Sequence, residues 1–191
     1  MSAPPVVELV YPMPADWVPW LWAWLCEDRA ANFDEDEPQT LEAFTAAVAR
    51  RAAMGERRWG VRVNGAPVGS IAYQPMTARV GLAHICITRS RDAWRKALGL
   101  RGLMALPRRI RGSGVTAEAA RQVGQCLRSE GIRKVCFAFH ADNTRVGRFL
   151  EKLGAVNEGL LRDQVERDGR FLDLRLMALF LSDGGVKCPR G

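Results

Sequence analysis

Long apolar runs are missing from this chain. None approaches the ~20 residues that cross a bilayer, which argues against a membrane span. The start, Met1-Ser2-Ala3-Pro4-Pro5, lacks the basic stretch, apolar core and small-residue cleavage site of a secretory signal, so a cytoplasmic location is the expectation. The five cysteines, Cys26, Cys86, Cys126, Cys136 and Cys188, are odd in number, widely spaced and set mostly in apolar runs. Reduced core thiols fit that pattern better than a disulfide frame or a zinc site, and no metal centre is expected. Histidine is scarcer still, with His84 and His140 alone. No repeat or low-complexity block stands out.

What is present is ordinary in amount and uneven in place. With 48% apolar and 26% charged residues over 191 positions, the chain reads as one soluble domain, residues 1–182, with a loose tail at 183–191. The net charge is +7, and the stretch from Arg89 to Arg111 holds eight cations against Asp92 alone, so the remainder is close to neutral. Residues 89–110 read as an inserted basic helix or ordered loop carrying Trp94 and several leucines. It is suited to phosphate contacts, to an acidic protein or RNA, or to a subunit contact in a homodimer.

Periodicity orders the rest. Val6 to Tyr11 is a short strand bounded by prolines, and Asp16 is placed to cap a helix reaching about Ala31, with Trp17, Trp20 and Trp24 on one face. A second helix starts at Thr40, after the acidic loop Asp34 to Glu37, and includes Ala43 to Ala53. Asn64-Gly65 predicts a hairpin between Trp59–Val63 and Val68–Tyr73, with a third strand over Val80 to Thr88. Ala117 to Ser129 reads as a helix and Val135 to Phe139 as a fully buried strand. Thr144 to Leu153 is a short helix stopped by Gly154, and Asp168-Gly169 turns between two last strands, Ala155 to Val165 and Phe171 to Leu181.

The most informative run is Arg111-Gly112-Ser113-Gly114-Val115-Thr116, which leads straight into a helix. Two glycines let the backbone turn tightly and approach a ligand, and the helix start offers unpaired N–H groups and a partial positive charge, so a diphosphate is the natural occupant. Gly112-x-Gly114-x-x-Ala117 also satisfies the dinucleotide fingerprint of a doubly wound fold, but that fingerprint follows a buried strand directly. Here Pro107-Arg108-Arg109-Ile110-Arg111 precedes it, basic and broken by proline.

With that loop, the helix start Ala117-Glu118-Ala119, the run Asn143 to Gly154 ending in Glu151-Lys152-Leu153-Gly154, and the segments Glu158 to Arg162 and Asp168 to Asp173, the chain resembles the GNAT superfamily of acyl-CoA-dependent N-acyltransferases. Within it, the chain is most similar to the ribosomal-protein N-terminal acetyltransferase branch. The resemblance covers about Arg111 to Leu181. It implies an α/β fold with a mixed, mostly antiparallel sheet flanked by helices, and acetyl-CoA lying in a wedge between Val80–Thr88 and Val135–Phe139. Backbone amides of Arg111, Gly112, Ser113, Gly114, Val115 and Thr116 would hold the diphosphate, and Asn143 would contact the acyl-CoA arm. Thr116 stands where the family prefers Gly or Ala, and Leu150 where many members carry a tyrosine acid.

Acyl transfer to an amine needs a neutral nitrogen. Neutralising a lysine near pH 7 costs about 4–5 kcal/mol, against about 1 kcal/mol for an α-amine. His84, on the strand that faces the thioester in this architecture, has the pKa range of a general base, direct or through water. His140 is placed to orient Asn143 or to line the pocket. The acidic loop Asp34 to Glu37 is placed to attract a cationic acceptor. The expected activity is acetyl transfer from acetyl-CoA to a primary amine: a protein N-terminus, a lysine or a small-molecule amine. The competing reading is a non-catalytic module of the same fold that binds macromolecules.

Overall fold

Residues 5–26, 40–87, 114–167 and 169–181 are described by a computed structural model. Asn64 and Gly65 hold positive φ, 48° and 80°, the conformation a two-residue hairpin turn demands. They join strand β2, Arg57–Val63, to strand β3, Ala66–Pro75. Strand β1, Val7–Val10, lies antiparallel to β2, and its entry is pinned where Asn64 Oδ1 accepts the Val6 N–H at 3.0 Å. Strand β4, Val80–Ile87, follows β3; strand β5, Lys134–His140, comes later in the chain, before the closing hairpin of β6, Val156–Arg167, and β7, Arg170–Phe180. The sheet order is β1-β2-β3-β4-β5-β7-β6. β4 and β5 run parallel, whereas β7 is antiparallel to both β5 and β6. The mixed sheet agrees with the expected class.

Among the described residues the α-helices are α1, Val18–Cys26; α2, Leu41–Ala53; α3, Val115–Ser129; and α4, Thr144–Lys152. Thr40 caps α2 as its position suggests, its Oγ1 accepting the Ala43 N–H at 3.1 Å. Gly154 ends α4 with φ 89°, and the Ala155 N–H then reaches back to Leu150 O at 3.0 Å. No helix among the described residues is long and apolar enough to cross a membrane.

The described residues form two compact units. The first comprises residues 5–26, 40–72, 85–87 and 114–123; the second comprises 73–84, 124–167 and 169–181. In the first, Val18, Leu21 and Phe44 make the core of the α1–α2 pair, with Trp22, Trp24 and Cys86 packed against them. The expected tryptophan face is split. Trp17 sits in a short 3-10 turn, Ala15–Trp17, that precedes α1, and its buried ring lies against Gly60, where an added Cβ would come within 2.5 Å of it. Trp20, 44% exposed, points away. The turn rotates the helix so that Val18 and Leu21 face inward instead.

In the second unit, α4 packs through Gly147 on the Phe139 ring, and Gly124 of α3 approaches Leu181. β5 departs from the expected fully buried strand: Val135 and Phe137 are buried, but the residues between and after them are only half-buried. Alternation is one cause, since Val135 and Phe137 share the face of Phe139, on which α4 rests, while Cys136 and Ala138 turn to the other face; pairing is the second. β5 keeps β7 beside it along its whole length, yet it meets β4 only at its beginning.

Candidate functional site

The start of α3 is built from main chain. Gly114 holds φ +78°, and among the described residues nothing lies within 4 Å of where its Cβ would be. The Glu118 N–H donates to Gly114 O at 2.7 Å as the first helical bond, which leaves the amides of Val115, Thr116 and Ala117 without an acceptor inside the helix. Val115 and Ala119 are buried and anchor this turn. Glu118 puts a carboxylate in the same first turn, where it would oppose an anion. That charge is drawn along the helix: its oxygens accept from Arg121 Nη2 at 2.6 Å, Arg121 Nε at 3.0 Å and Gln122 Nε2 at 2.8 Å. The Arg121 hydrogen bonds foremost, and the one from Gln122, hold the Glu118 pKa below the usual carboxylate value. A positive-φ glycine, helix-start amides without intrahelical acceptors and a neutralised local carboxylate fit a diphosphate. Arg111, Gly112 and Ser113, together with the basic stretch 89–110 and the acidic loop 34–37, lie outside the described residues.

A second cluster stands at the carboxyl ends of β4 and β5. The ladder between them consists of Val80 with Lys134, Gly81 with Val135 and Leu82 with Cys136. Both strands then run on, β4 to Ile87 and β5 to His140, without further ladder pairs. His84, exposed, is the second residue past the last pair. His140 ends β5 with Arg167 Nη2 at 3.4 Å from its Nε2; since arginine only donates, the ring nitrogen accepts. The His140 carbonyl accepts the Asn143 N–H at 2.9 Å, and Asn143 Oδ1 caps α4 by accepting from Val146 N–H at 3.3 Å. The cap commits the Asn143 oxygen, so a ligand contact from this side chain falls to its amide nitrogen. Beside it an open groove of about 250 Å³ is lined by Phe139, Asn143, Gly147, Arg148, Glu151 and Arg175. Leu150 is 1% exposed and belongs to the core, so the position where many relatives place a tyrosine acid does not face a site here.

His84 and Asn143 thus belong to the second unit, and Gly114 to Thr116 to the first. Arg167 was not singled out by motif. Alternation counted back from the Asp168-Gly169 turn was the available signal, since it makes Arg167 and Arg170 the closing pair of the hairpin. Two thiols flank the same strands. Burial pushes Cys86 up to about 11 although the neighbouring Arg58 guanidinium pulls the other way, and burial likewise raises Cys136. Neither is poised as a thiolate. Among the described residues no group of three or more His, Cys, Asp or Glu could hold a metal ion.

Residues 7–156 match the family model described as an acetyltransferase (GNAT) domain. No curated protein sequence matches the chain. Among solved structures, spermidine N-acetyltransferase from Vibrio cholerae, in complex with CoA and spermine, superposes with a TM-score of 0.69 at 14% identity, covering 92% of this chain and 95% of that one. An N-acetyltransferase from Staphylococcus aureus Mu50 gives a TM-score of 0.70 at 14% identity, with 93% and 99% covered. Ribosomal-protein-alanine N-acetyltransferase from Brucella melitensis gives 0.66 at 15% identity, with 92% and 99% covered. At these identities the likeness is one of fold, and the family model supplies the rest. The chain belongs to the GNAT acetyltransferase family, whose members are acetyl-CoA-dependent N-acetyltransferases.

Proposed function

We propose that the protein acetylates a primary amine by direct attack in a ternary complex, with His84 as the base that leaves the amine nitrogen its lone pair. The observation that carries this reading is the place of His84, exposed and just past the point where β4 and β5 stop pairing. Acetyl-CoA supplies the thioester; its diphosphate is assigned to the amides of Arg111, Gly112, Ser113, Gly114, Val115 and Thr116, and its arm to Asn143. A proton taken from the ammonium by His84, directly or through one water, frees the nitrogen. The N–C bond then forms as the C–S bond breaks; the nitrogen gives up its second proton to water, and the departing thiolate takes one from water, so that neutral amide and CoA thiol result. The raised thiols of Cys86 and Cys136 speak against a detour through an acyl-cysteine.

Turnover measured by mass spectrometry across an amine panel, over a range of pH, tests this. His84→Ala is expected to lower kcat by about 10²-fold or more and to abolish the limb of the pH profile in which a base gains activity on deprotonation. CoA affinity, read by isothermal titration, should hold. An unchanged profile removes His84 from the mechanism. CoA binding with no acetylated product from any amine would instead favour a binding module of the same fold.

A further inference from the structure

The sheet layer beneath α4 changes chemistry along its length. On β7 the residues turned to that layer are the odd-numbered ones, which pair as Leu179 with Val135, Met177 with Phe137 and Arg175 with Phe139. Met177 is 2% exposed and Leu179 half-buried, as a helix-covered layer requires. The next position holds a cation instead. Arg175 is half-buried there and lines the open groove of about 250 Å³ between α4 and the sheet. Among the described residues its guanidinium makes no hydrogen bond or ion pair. Asp173, one odd position further, does not pair with it, and its Oδ1 accepts the Asp163 N–H at 2.9 Å.

The helix side of the groove repeats the pattern. Gly147, Arg148 and Glu151 lie on the flank of α4 that lines it. Arg148 and Glu151 are three apart on one helix, a spacing that would allow an ion pair, yet among the described residues neither makes one. Two guanidiniums, one from α4 and one from β7, therefore line the groove against a single carboxylate. The Asn143 amide nitrogen adds a neutral donor, since the helix cap takes only its oxygen. Glycine is a poor choice inside a helix, and packing does not demand it at 147. An added Cβ would come no closer than 3.7 Å to the Phe139 ring, an ordinary contact. What the glycine preserves is space, because a longer side chain would grow into the groove it lines.

We propose that this groove binds a small organic dianion, a dicarboxylate or a phosphomonoester, between Arg148 and Arg175 and over the Phe139 ring. Half-burying a guanidinium costs solvation that an opposite charge offsets. No described side chain supplies that charge to Arg175, and an incoming dianion does, with a two-pronged fork available from each arginine. Size narrows the class further. The groove is smaller than the roughly 300–1,000 Å³ of sites for drug-sized ligands, which limits the occupant to a few carbons. The place is also separate from the wedge assigned to acetyl-CoA. That wedge lies between β4 and β5, whereas the groove lies over β5 and β7, and β7 adjoins β5 on the side away from β4. His84 takes no part in it.

NMR titration of the CoA-loaded protein, followed by amide chemical shifts, tests this with succinate, glycerol 3-phosphate, acetate and glycerol. The two dianions should bind saturably at one site, about tenfold or more tighter than acetate, with the largest shifts at residues 144–151 and 175; glycerol should not bind. Preference for succinate identifies a dicarboxylate and preference for glycerol 3-phosphate a phosphomonoester, while equal use of both leaves the dianion assignment standing. Arg175→Gln and Arg148→Gln should each weaken the binding by about tenfold. Glu151→Gln should tighten it by about threefold, because the one repelling carboxylate is gone. Gly147→Met should abolish it by filling the groove, with CoA affinity kept and unfolding curves showing a folded protein.

Absence of saturable binding, equal affinity for acetate and the dianions, or unchanged affinity in Arg175→Gln overturns the proposal. Weaker binding in Glu151→Gln would place the dianion elsewhere and overturns it too. Should an arginine variant fail to fold, Gly147→Met decides, and full binding there sinks the assignment. A dianion that binds the free protein, is displaced by CoA and is not displaced by dephospho-CoA would show that the two arginines hold the coenzyme's own phosphate. The groove would then be no separate site, and the proposal fails whatever the role of His84.

Discussion

The start of α3 and the carboxyl ends of β4 and β5 are built from different materials. The first is made of backbone: a positive-φ glycine, three outward amides, and a first-turn carboxylate silenced by Arg121 and Gln122. The second is made of side chains on different strands: His84 stands on β4, and Arg167 of β6 meets His140 of β5 at 3.4 Å. A main-chain cradle accepts any diphosphate-bearing carrier and tolerates wide sequence change, because every residue supplies the same amide. A side-chain cluster is selective and fragile. On the proposed reading the physical division matches the chemical one, in which the carrier is common to a family and the acceptor is particular to a member.

Leu150→Tyr tests whether the second region can be repaired toward the tyrosine-acid design. Leu150 is 1% exposed, so the larger ring overpacks the α4 core. We expect a loss of about 1–3 kcal/mol in unfolding free energy and no gain in kcat. A stable variant with raised kcat would mean that α4 faces the site after all.

Gly114→Val probes the first region alone. With no described residue within 4 Å of an added Cβ, the cost is that of the left-handed backbone, ~1–2 kcal/mol. It should appear as an approximately tenfold loss of CoA affinity by isothermal titration, with the shape of the pH–rate profile retained. Full affinity would place the diphosphate elsewhere.

The smallest effect concerns Glu118. Its folded pKa is lowered, so the stabilisation it gives is present above the unfolded carboxylate value and is lost as pH falls through the folded one. Melting temperature followed from neutral pH down through the acid range should decline less steeply in Glu118→Gln than in the parent. Identical slopes would show that the Arg121 and Gln122 contacts carry no net stability.

Local chemistry was legible where a residue type has one use. Asn64-Gly65 takes the φ values that a tight hairpin requires, Thr40 caps α2, and Gly154 closes α4 in the left-handed conformation. The tryptophans were not legible in that way. A helical stripe drawn through Trp17, Trp20 and Trp24 ignores the 3-10 turn at Ala15–Trp17, which changes the angular phase by the time α1 begins. The apolar run Val135 to Phe139 has no alternation to reveal an open face, since which side is covered depends on where α4 comes to rest, against Phe139.

By itself, then, the sequence determined the order of elements, the turns and the starts of α2 and α4, because each follows from φ preferences and from hydrogen bonds spanning a few residues; the cap expected at Asp16 did not form, since Asp16 lies inside the 3-10 turn Ala15–Trp17, which Pro14 precedes without a side-chain bond. Register and divergence were decided by the tertiary structure. That β4 parts from β5 after Leu82, and that Arg167 reaches His140 across the sheet, depends on strands distant in the chain. Their pairing minimises the free energy of the whole sheet and is encoded at no single position.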